Sequence, residues 1–573
     1  MTTVNEWKTE DLKPALEQYF GFDHFRTGQQ EIIESILSGQ DCLAILPTGA
    51  GKSLCFQLPG LLLPNISLVI SPLISLMTDQ VTHLLHKQIP AACLHSFLTP
   101  TQRDQIVAQL TAGQIKFLYV SPETLQTQLF TLFSKQLHFS LVVIDEAHCI
   151  SEWGHQFRPE YLKINEWLKL LPLRPKVAAF TASATQFTEL DIIHQLKFSQ
   201  PKVFRQSVTR PNLGLNVTPC RTTTEQYLAL QRILTLHRNQ ATLIYCATRA
   251  TTEQTAALLD TLGHQTAAYH GGQSAEHRQH VQQQFLAGNI QLICATNAFG
   301  MGVDKPDIRC VIHLNLPSSV EGYYQEVGRA GRDGKESQCY LFTLATDVEL
   351  QEKILLGSYL PFELSHRLLE LLLFTKQPYL SFKFLLQHLH DHAPPRVLKW
   401  QFKDLLTFGE EKKWWKVDWE KQQLQPEKPC AEIIREEVKL RKQAVHQLRK
   451  LKAMNNYCQR KTCRMSQLIE YFEQHTLAKN CGKCDVCTGS IGGVPPAEEQ
   501  KLFRKYLWLS RKLFPPAIFT PDGPLRELSI QMLAHARLHT PAAQLIPGLG
   551  RGWRERFSQK LELNVSAARN YHA

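Results

Sequence analysis

Asp-Cys-Leu-Ala-Ile-Leu-Pro-Thr-Gly-Ala-Gly-Lys-Ser, residues 41–53, decides how this chain is read. An apolar run ends at Pro47, a glycine-spaced turn follows, and an amphipathic stretch begins at Lys52. A short continuous apolar run reads as a buried parallel strand. Gly49 and Gly51 let backbone N–H groups approach phosphate oxygens with no Cβ in the way, and the helix that follows adds its positive end. Lys52 supplies charge to the β- and γ-phosphates, and Ser53 offers a hydroxyl to Mg²⁺. With Thr48 these residues form the expected ATP-binding set.

A second apolar strand ends in Asp145-Glu146-Ala147-His148. An Asp at such a strand end can hold Mg²⁺, and the adjacent Glu can orient or deprotonate the attacking water. Further runs of the same kind are SLVIS (67–71), KFLYVS (116–121), VAAFTA (177–182), ATLIYC (241–246), IQLICAT (290–296) and CVIHL (310–314). They alternate with amphipathic stretches, which implies βαβ units and an α/β fold. There is room for two such units, joined near residues 204–211.

The chain has 573 residues, too many for one core, and a formal charge of +11 that suits a polyanionic partner. No apolar run approaches the ~18–20 residues that span a bilayer, so no membrane partner is expected. The first residues lack a basic segment followed by an apolar one, so the protein is expected to stay inside the cell. Of fifteen cysteines, Cys463, Cys481, Cys484 and Cys487 form a pattern that suits a closed four-thiolate Zn²⁺ site. Cys458 is a possible competitor for Cys463. The others read as small buried residues.

From about residue 345 the texture turns helical. Three candidate helices, the last (396–408) ending at Gly409, precede an aromatic stretch, KKWWKVDWEKQQLQP (412–426), and read as a winged helix. Strand alternation places Trp415, Val417 and Trp419 on one face and Trp414 on the other, where it could act as a strand-separating wedge; the alternative is that all three tryptophans belong to the core. A long helix, about 431–456, follows. Residues 435–464 hold ten Lys/Arg against two Glu, and Lys442, Lys450 and Lys452 are candidates for guiding duplex DNA.

Across almost its whole length the chain resembles the RecQ family of superfamily 2 helicases. FGFDHFRTGQQEII (20–33) is similar to the family's adenine-reading motif, which implies that Arg26 stacks on the base and Gln29 bonds its edge. SPLISLMTDQ (71–80) resembles a motif that touches the DNA backbone, with Ser71 as its contact. TASAT (181–185) resembles the element that couples the lobes. SEWGHQFRPEY (151–161) resembles an aromatic-rich loop; the resemblance implies that Trp153, Phe157 and Arg158 contact single-stranded DNA and that His155 reports its presence to Glu146. In ATNAFGMGVDKPDIR (295–309) and YYQEVGRAGRDG (323–334), Asp304 and Gln325 are expected to couple the lobes, and Arg329 and Arg332 to reach the γ-phosphate, Arg332 being the favoured finger.

The resemblance implies two tandem RecA-like lobes (1–203 and 204–345), a winged-helix-like insertion in an unusual place (346–429), a zinc-binding subdomain (430–488), a linker (489–496) and an HRDC-like all-α domain (497–566). It also implies 3′-to-5′ unwinding of duplex or forked DNA from a single-stranded track, in recombination and repair. The expected location is cytoplasmic in a bacterium and nuclear in a eukaryote. Partners such as single-strand binding protein or a topoisomerase have no support in the residues. Two other readings share the ATP machinery: an RNA helicase of the DEAD-box kind, and an annealing or remodelling ATPase that does not unwind processively.

Overall fold

The computed structural model describes residues 9–151, 158–299, 305–375, 377, 379–389, 395–473 and 480–489. The linker after residue 489 and the HRDC-like segment lie outside them. The described chain divides into two units, one containing residues 1–345 and 457 onward, the other residues 346–456.

The first unit holds two parallel sheets. The first contains β1 (Cys42–Ile45), β2 (Ile66–Ile70), β3 (Ala91–Leu94), β4 (Phe117–Val120), β5 (Phe139–Ile144), β6 (Lys176–Thr181) and β7 (Lys202–Arg205), in the order β3-β4-β2-β5-β6-β1-β7. Leu43 and Ile45 of β1 enter one apolar cluster, Cys42 and Ala44 the other. Both faces are covered, which is why these strands read as unbroken apolar runs. The second sheet contains β8 (Leu213–Pro219), β9 (Ala241–Tyr245), β10 (Thr266–Tyr269), β11 (Leu292–Ala295), β12 (Ile308–His313) and β13 (Ser337–Thr343), in the order β10-β11-β9-β12-β13-β8. Phe204 and Arg205 still pair with Ala44 and Ile45, so the chain crosses to the second sheet after residue 205 rather than after 203. In parallel sheets of this kind ligands bind beyond the carboxyl ends of the strands.

The second unit has helices Phe362–Thr375, Phe382–Leu389 and Pro395–Glu411 and an antiparallel sheet of β14 (Leu380–Ser381), β15 (Trp415–Asp418) and β16 (Gln423–Pro426), in the order β14-β16-β15. The long helix Cys430–Gln459 leads out of it. Gly409 does not end the third helix, which runs on to Glu411. Its lack of a side chain serves packing instead: a Cβ there would stand 2.1 Å from the Trp415 ring.

The wedge reading of Trp414 fails and the core reading holds for Trp414 and Trp415, but not for Trp419. Trp414 and Trp415 are both fully buried, and Trp419 is the exposed one, at 44%. β15 begins at Trp415, so strand alternation does not extend to Trp414, and both indoles turn inward. There Trp414 packs edge-on against Phe408, and its indole N–H donates to Glu436. Of the three lysines singled out on the long helix, Lys442 and Lys452 are exposed but Lys450 is buried.

Candidate active site and metal centre

β1 delivers the chain to Pro47, and the loop that follows turns through two left-handed glycines, Gly49 (φ 87°) and Gly51 (φ 81°). Gly51 caps the helix Lys52–Leu62. Gln29 braces the loop from outside. Its side-chain N–H groups donate to the carbonyls of Ala50 (3.0 Å) and Gly51 (3.2 Å), and its Oε1 accepts from the Arg26 backbone N–H (2.9 Å). Arg26 donates to the Gly49 carbonyl. Both side chains thus hold the shape of the phosphate loop in this structure.

Asp145 follows β5, where its carboxylate accepts from the Ser71 hydroxyl (3.4 Å) and the Glu146 N–H (2.9 Å). Burial, then the Glu146 charge, push the Asp145 pKa up to about 6, against the pull of Lys52. Ser71 was expected on DNA. It is instead buried and turned to Asp145, because β2 and β5 are adjacent parallel strands and their carboxyl ends converge. Glu146 sits at φ 48°, a left-handed conformation rare outside glycine. Its carboxylate lies 3.3 Å from His148 Nδ1, which lies 3.0 Å from the Thr181 hydroxyl. Burial opposes charge on His148, but Cys149 and Glu146 together raise its pKa to about 10.

The second sheet contributes the helix Val320–Val327 and the turn after it. The P-loop abuts this turn. A Cβ on Gly328 would stand 3.0 Å from Thr48 Oγ1, and one on Gly49 would stand 3.7 Å from Arg332 Cγ. A cavity of about 770 Å³ lies between them. It gathers Arg26, Gln29, Thr48, Gly49, Gly51, Lys52, Ser53, Ser71, Asp145 and Glu146 from one side with Gln325, Arg329 and Arg332 from the other. Phe20 and Phe22 also line it, as do Gln80 and Lys87, none of which the motif reading singled out. Asp304 lies outside the described residues.

Of the expected DNA contacts, Trp153, His155 and Phe157 also lie outside the described residues. Arg158 is half-buried. It donates to the Pro72 carbonyl (2.9 Å), tying the end of the aromatic loop to the segment after β2.

Cys463, Cys481, Cys484 and Cys487 converge so that their sulfurs all lie within 4.8 Å of one another, and Cys481 Sγ is 3.9 Å from Cys487 Sγ. A tetrahedron with Zn–S bonds of ~2.3 Å has sulfur–sulfur edges of ~3.8 Å, so the four thiols fit zinc. Backbone N–H groups of Cys481 and Arg464 point at the sulfurs of Cys463 and Cys484, which favours thiolates. A nearly buried ion pair, Arg464 to Asp485 at 2.8 Å, joins the helix Arg464–Glu473 to the knuckle.

Three family descriptions match this chain: DEAD/DEAH box helicase over residues 26–191, helicase conserved C-terminal domain over 225–334, and RecQ zinc-binding over 428–488. The probable ATP-dependent DNA helicase RecS of Bacillus subtilis is 46% identical over 348 residues, 60% of this chain and 69% of RecS. The ATP-dependent DNA helicase RecQ of Synechocystis is 42% identical over 336 residues, 58% of this chain and 70% of that protein. The chain belongs to the RecQ family of ATP-dependent DNA helicases. The RecQ of Pasteurella multocida is also 42% identical, but the match spans about half of its length, 54%. The crystal structure of the helicase MrfA bound to DNA and AMPPNP shares the fold, with a TM-score of 0.50 and 18% identity over 73% of this chain and 61% of that one. Among the described residues no helix of this RecQ-family chain is long and apolar enough to cross a membrane.

Proposed function

We propose that this chain is a 3′-to-5′ DNA helicase that moves along single-stranded DNA and unwinds duplex or branched DNA in recombination and repair. One observation carries the reading: Lys52, Asp145 and Glu146 share a single cavity with Gln325, Arg329 and Arg332 from the second sheet. Lys52 neutralises the β- and γ-phosphates. Ser53 and Asp145 would hold Mg²⁺, which when bound offsets charge on the phosphate oxygens. Glu146 orients the attacking water. Arg332, with Arg329 beside it, meets the γ-phosphate from the opposite lobe, so hydrolysis depends on closure. Gln325 and Asp304 couple the lobes, and Arg26 and Gln29 hold the loop on the adenine side.

Trp153, Phe157 and Arg158 serve the DNA track and His155 relays its occupancy to Glu146. Cys463, Cys481, Cys484 and Cys487 hold a structural zinc. We assign lobes at 1–203 and 204–345 (the sheet crossing falling after 205), a winged-helix-like module at 346–429, a zinc subdomain at 430–488, and an HRDC-like domain at 497–566 beyond a linker. Helix–strand–helix–helix–strand–strand order over residues 362–426 supports the winged-helix assignment. The RNA-helicase reading is not favoured, since the curated relatives named above are DNA helicases.

The test is unwinding of 3′-tailed against 5′-tailed DNA duplexes, with Lys52→Ala as control. ATP-dependent displacement on the 3′-tailed substrate alone is expected. Displacement from the 5′ tail, or none from either, would refute the assignment.

A further inference from the structure

The segment between the two sheets, residues 206–212, is fastened along its length. The Val208 carbonyl accepts from the Tyr324 hydroxyl (3.1 Å), and the Val208 N–H and Ser207 hydroxyl both donate to the Glu473 carboxylate. Asn212 donates to the carbonyls of Gly331 (2.8 Å) and Lys335 (2.9 Å). Between these anchors stands Arg210, a half-buried guanidinium whose hydrogen-bond acceptors are mostly main-chain carbonyls. One terminal nitrogen donates to Thr48 O (3.1 Å) and Gly328 O (3.2 Å), the other to Ala330 O (2.9 Å) and Gly331 O (3.0 Å).

Three of these carbonyls lie in the turn after the helix Val320–Val327, near the negative helix pole, which favours a cation. The fourth belongs to the phosphate loop. A single nitrogen therefore bridges the loop that cradles phosphate and the turn that carries Arg329 and Arg332. The planar fork of arginine can satisfy four acceptors in this layout, while an ammonium is a point charge on a flexible stem.

We infer that Arg210 is a positioning residue for hydrolysis: it sets the Gly328–Arg332 turn against Thr48, so that the cleft closes with its arginines in register. The inference rests on the ATPase reading above. Arg210 meets the phosphate loop through the Thr48 main-chain carbonyl rather than through the side chains that would hold nucleotide, so its loss is expected to lower the catalysed step more than nucleotide binding. That separates it from a residue that merely supports the fold.

The experiment uses the full chain loaded with zinc. DNA-stimulated phosphate release gives kcat and KM, binding of a fluorescent non-hydrolysable ATP analogue gives Kd, and thermal melting reports the fold. For Arg210→Ala we expect kcat to fall by about tenfold or more with Kd changed by less than about threefold; for Arg210→Lys we expect partial recovery. An Arg210→Ala kcat equal to wild type overturns the inference, as does a rise in Kd of about tenfold or more, which would place Arg210 in nucleotide binding. If the alanine variant does not melt cooperatively, Arg210→Lys is read alone: a lowered kcat at unchanged Kd supports the role and an unchanged kcat refutes it. A wild-type chain that releases no phosphate with DNA overturns the ATPase reading itself, which separates the two failures.

Discussion

His148 Nδ1 lies 3.0 Å from the hydroxyl of Thr181, so the acidic strand end and the end of β6 meet through one imidazole. The same nitrogen faces Glu146. His148 thereby links Thr181 to Glu146, the residue proposed to orient the attacking water.

Thr181→Val keeps the shape of that side chain and removes its hydroxyl. ATP hydrolysis is expected to stay within about threefold of wild type while strand displacement falls by about tenfold, since the coupling and not the chemistry is cut. Parallel phosphate-release and unwinding assays check this. An equal loss of both would mean that Thr181 acts on hydrolysis directly.

Asp145 gives the pH dependence. Its carboxyl is pushed up to about 6 by burial. An acid with a raised pKa is one the fold prefers protonated. Without a cation, the folded chain therefore loses stability as pH rises from about 4 through about 6, where the loss is complete. Mg²⁺ at Asp145 would favour the ionised form, so at low Mg²⁺ kcat/KM is expected to fall as pH drops through about 6, and added Mg²⁺ to move that fall to lower pH. Added Mg²⁺ is expected to reverse the stability trend, and melting curves with and without Mg²⁺ across this range test it. Flat curves would place the titration elsewhere.

The thiol cluster separates Cys463 from Cys458. Cys463→Ser is expected to lose bound zinc and to melt at a lower temperature, whereas Cys458→Ser keeps the metal. Metal analysis of both purified variants decides. Chelation of wild type should reproduce the Cys463→Ser melt.

Gly409 sits in a helix, where Gly→Ala ordinarily stabilises by up to ~1 kcal/mol. Here the new methyl would meet the Trp415 ring, and Gly409→Ala is expected to destabilise residues 346–456 by about 1–3 kcal/mol. Trp414→Ala should cost about 3–5 kcal/mol there, from a cavity. Trp419→Ala, at a half-exposed position edge-on to Phe382, should cost less, about 0.5–1.5 kcal/mol. Urea unfolding followed by tryptophan fluorescence distinguishes these three; a stable Trp414→Ala chain would contradict its burial.

The strands that carry the site were legible because both faces of a parallel sheet are buried and leave unbroken apolar runs. β10, Thr266–Tyr269, is half-exposed at a sheet edge, and β7, Lys202–Arg205, is mostly solvent-facing, so neither shows such a run. Lys52, Asp145, Arg329 and Arg332 were legible by motif, and the structure brings them to one cavity. Ser71 was misjudged because its motif spans a turn: the hydroxyl at the strand end faces back toward Asp145. Trp414 stands just before β15, where strand alternation does not hold, so counting alternation back from Trp415 places it on the wrong face. Arg210 was invisible, since a lone arginine between strands shows no pattern until the carbonyls it collects are in place.

The backbone at Glu146 has a further consequence. A side chain held at φ 48° gives up conformational energy that glycine would recover, of order 1 kcal/mol. Selection for heat resistance alone would therefore reward replacing this residue, and the sturdier protein so obtained would have lost the carboxylate proposed to orient water. Any effort to harden this motor has to leave that one kink untouched.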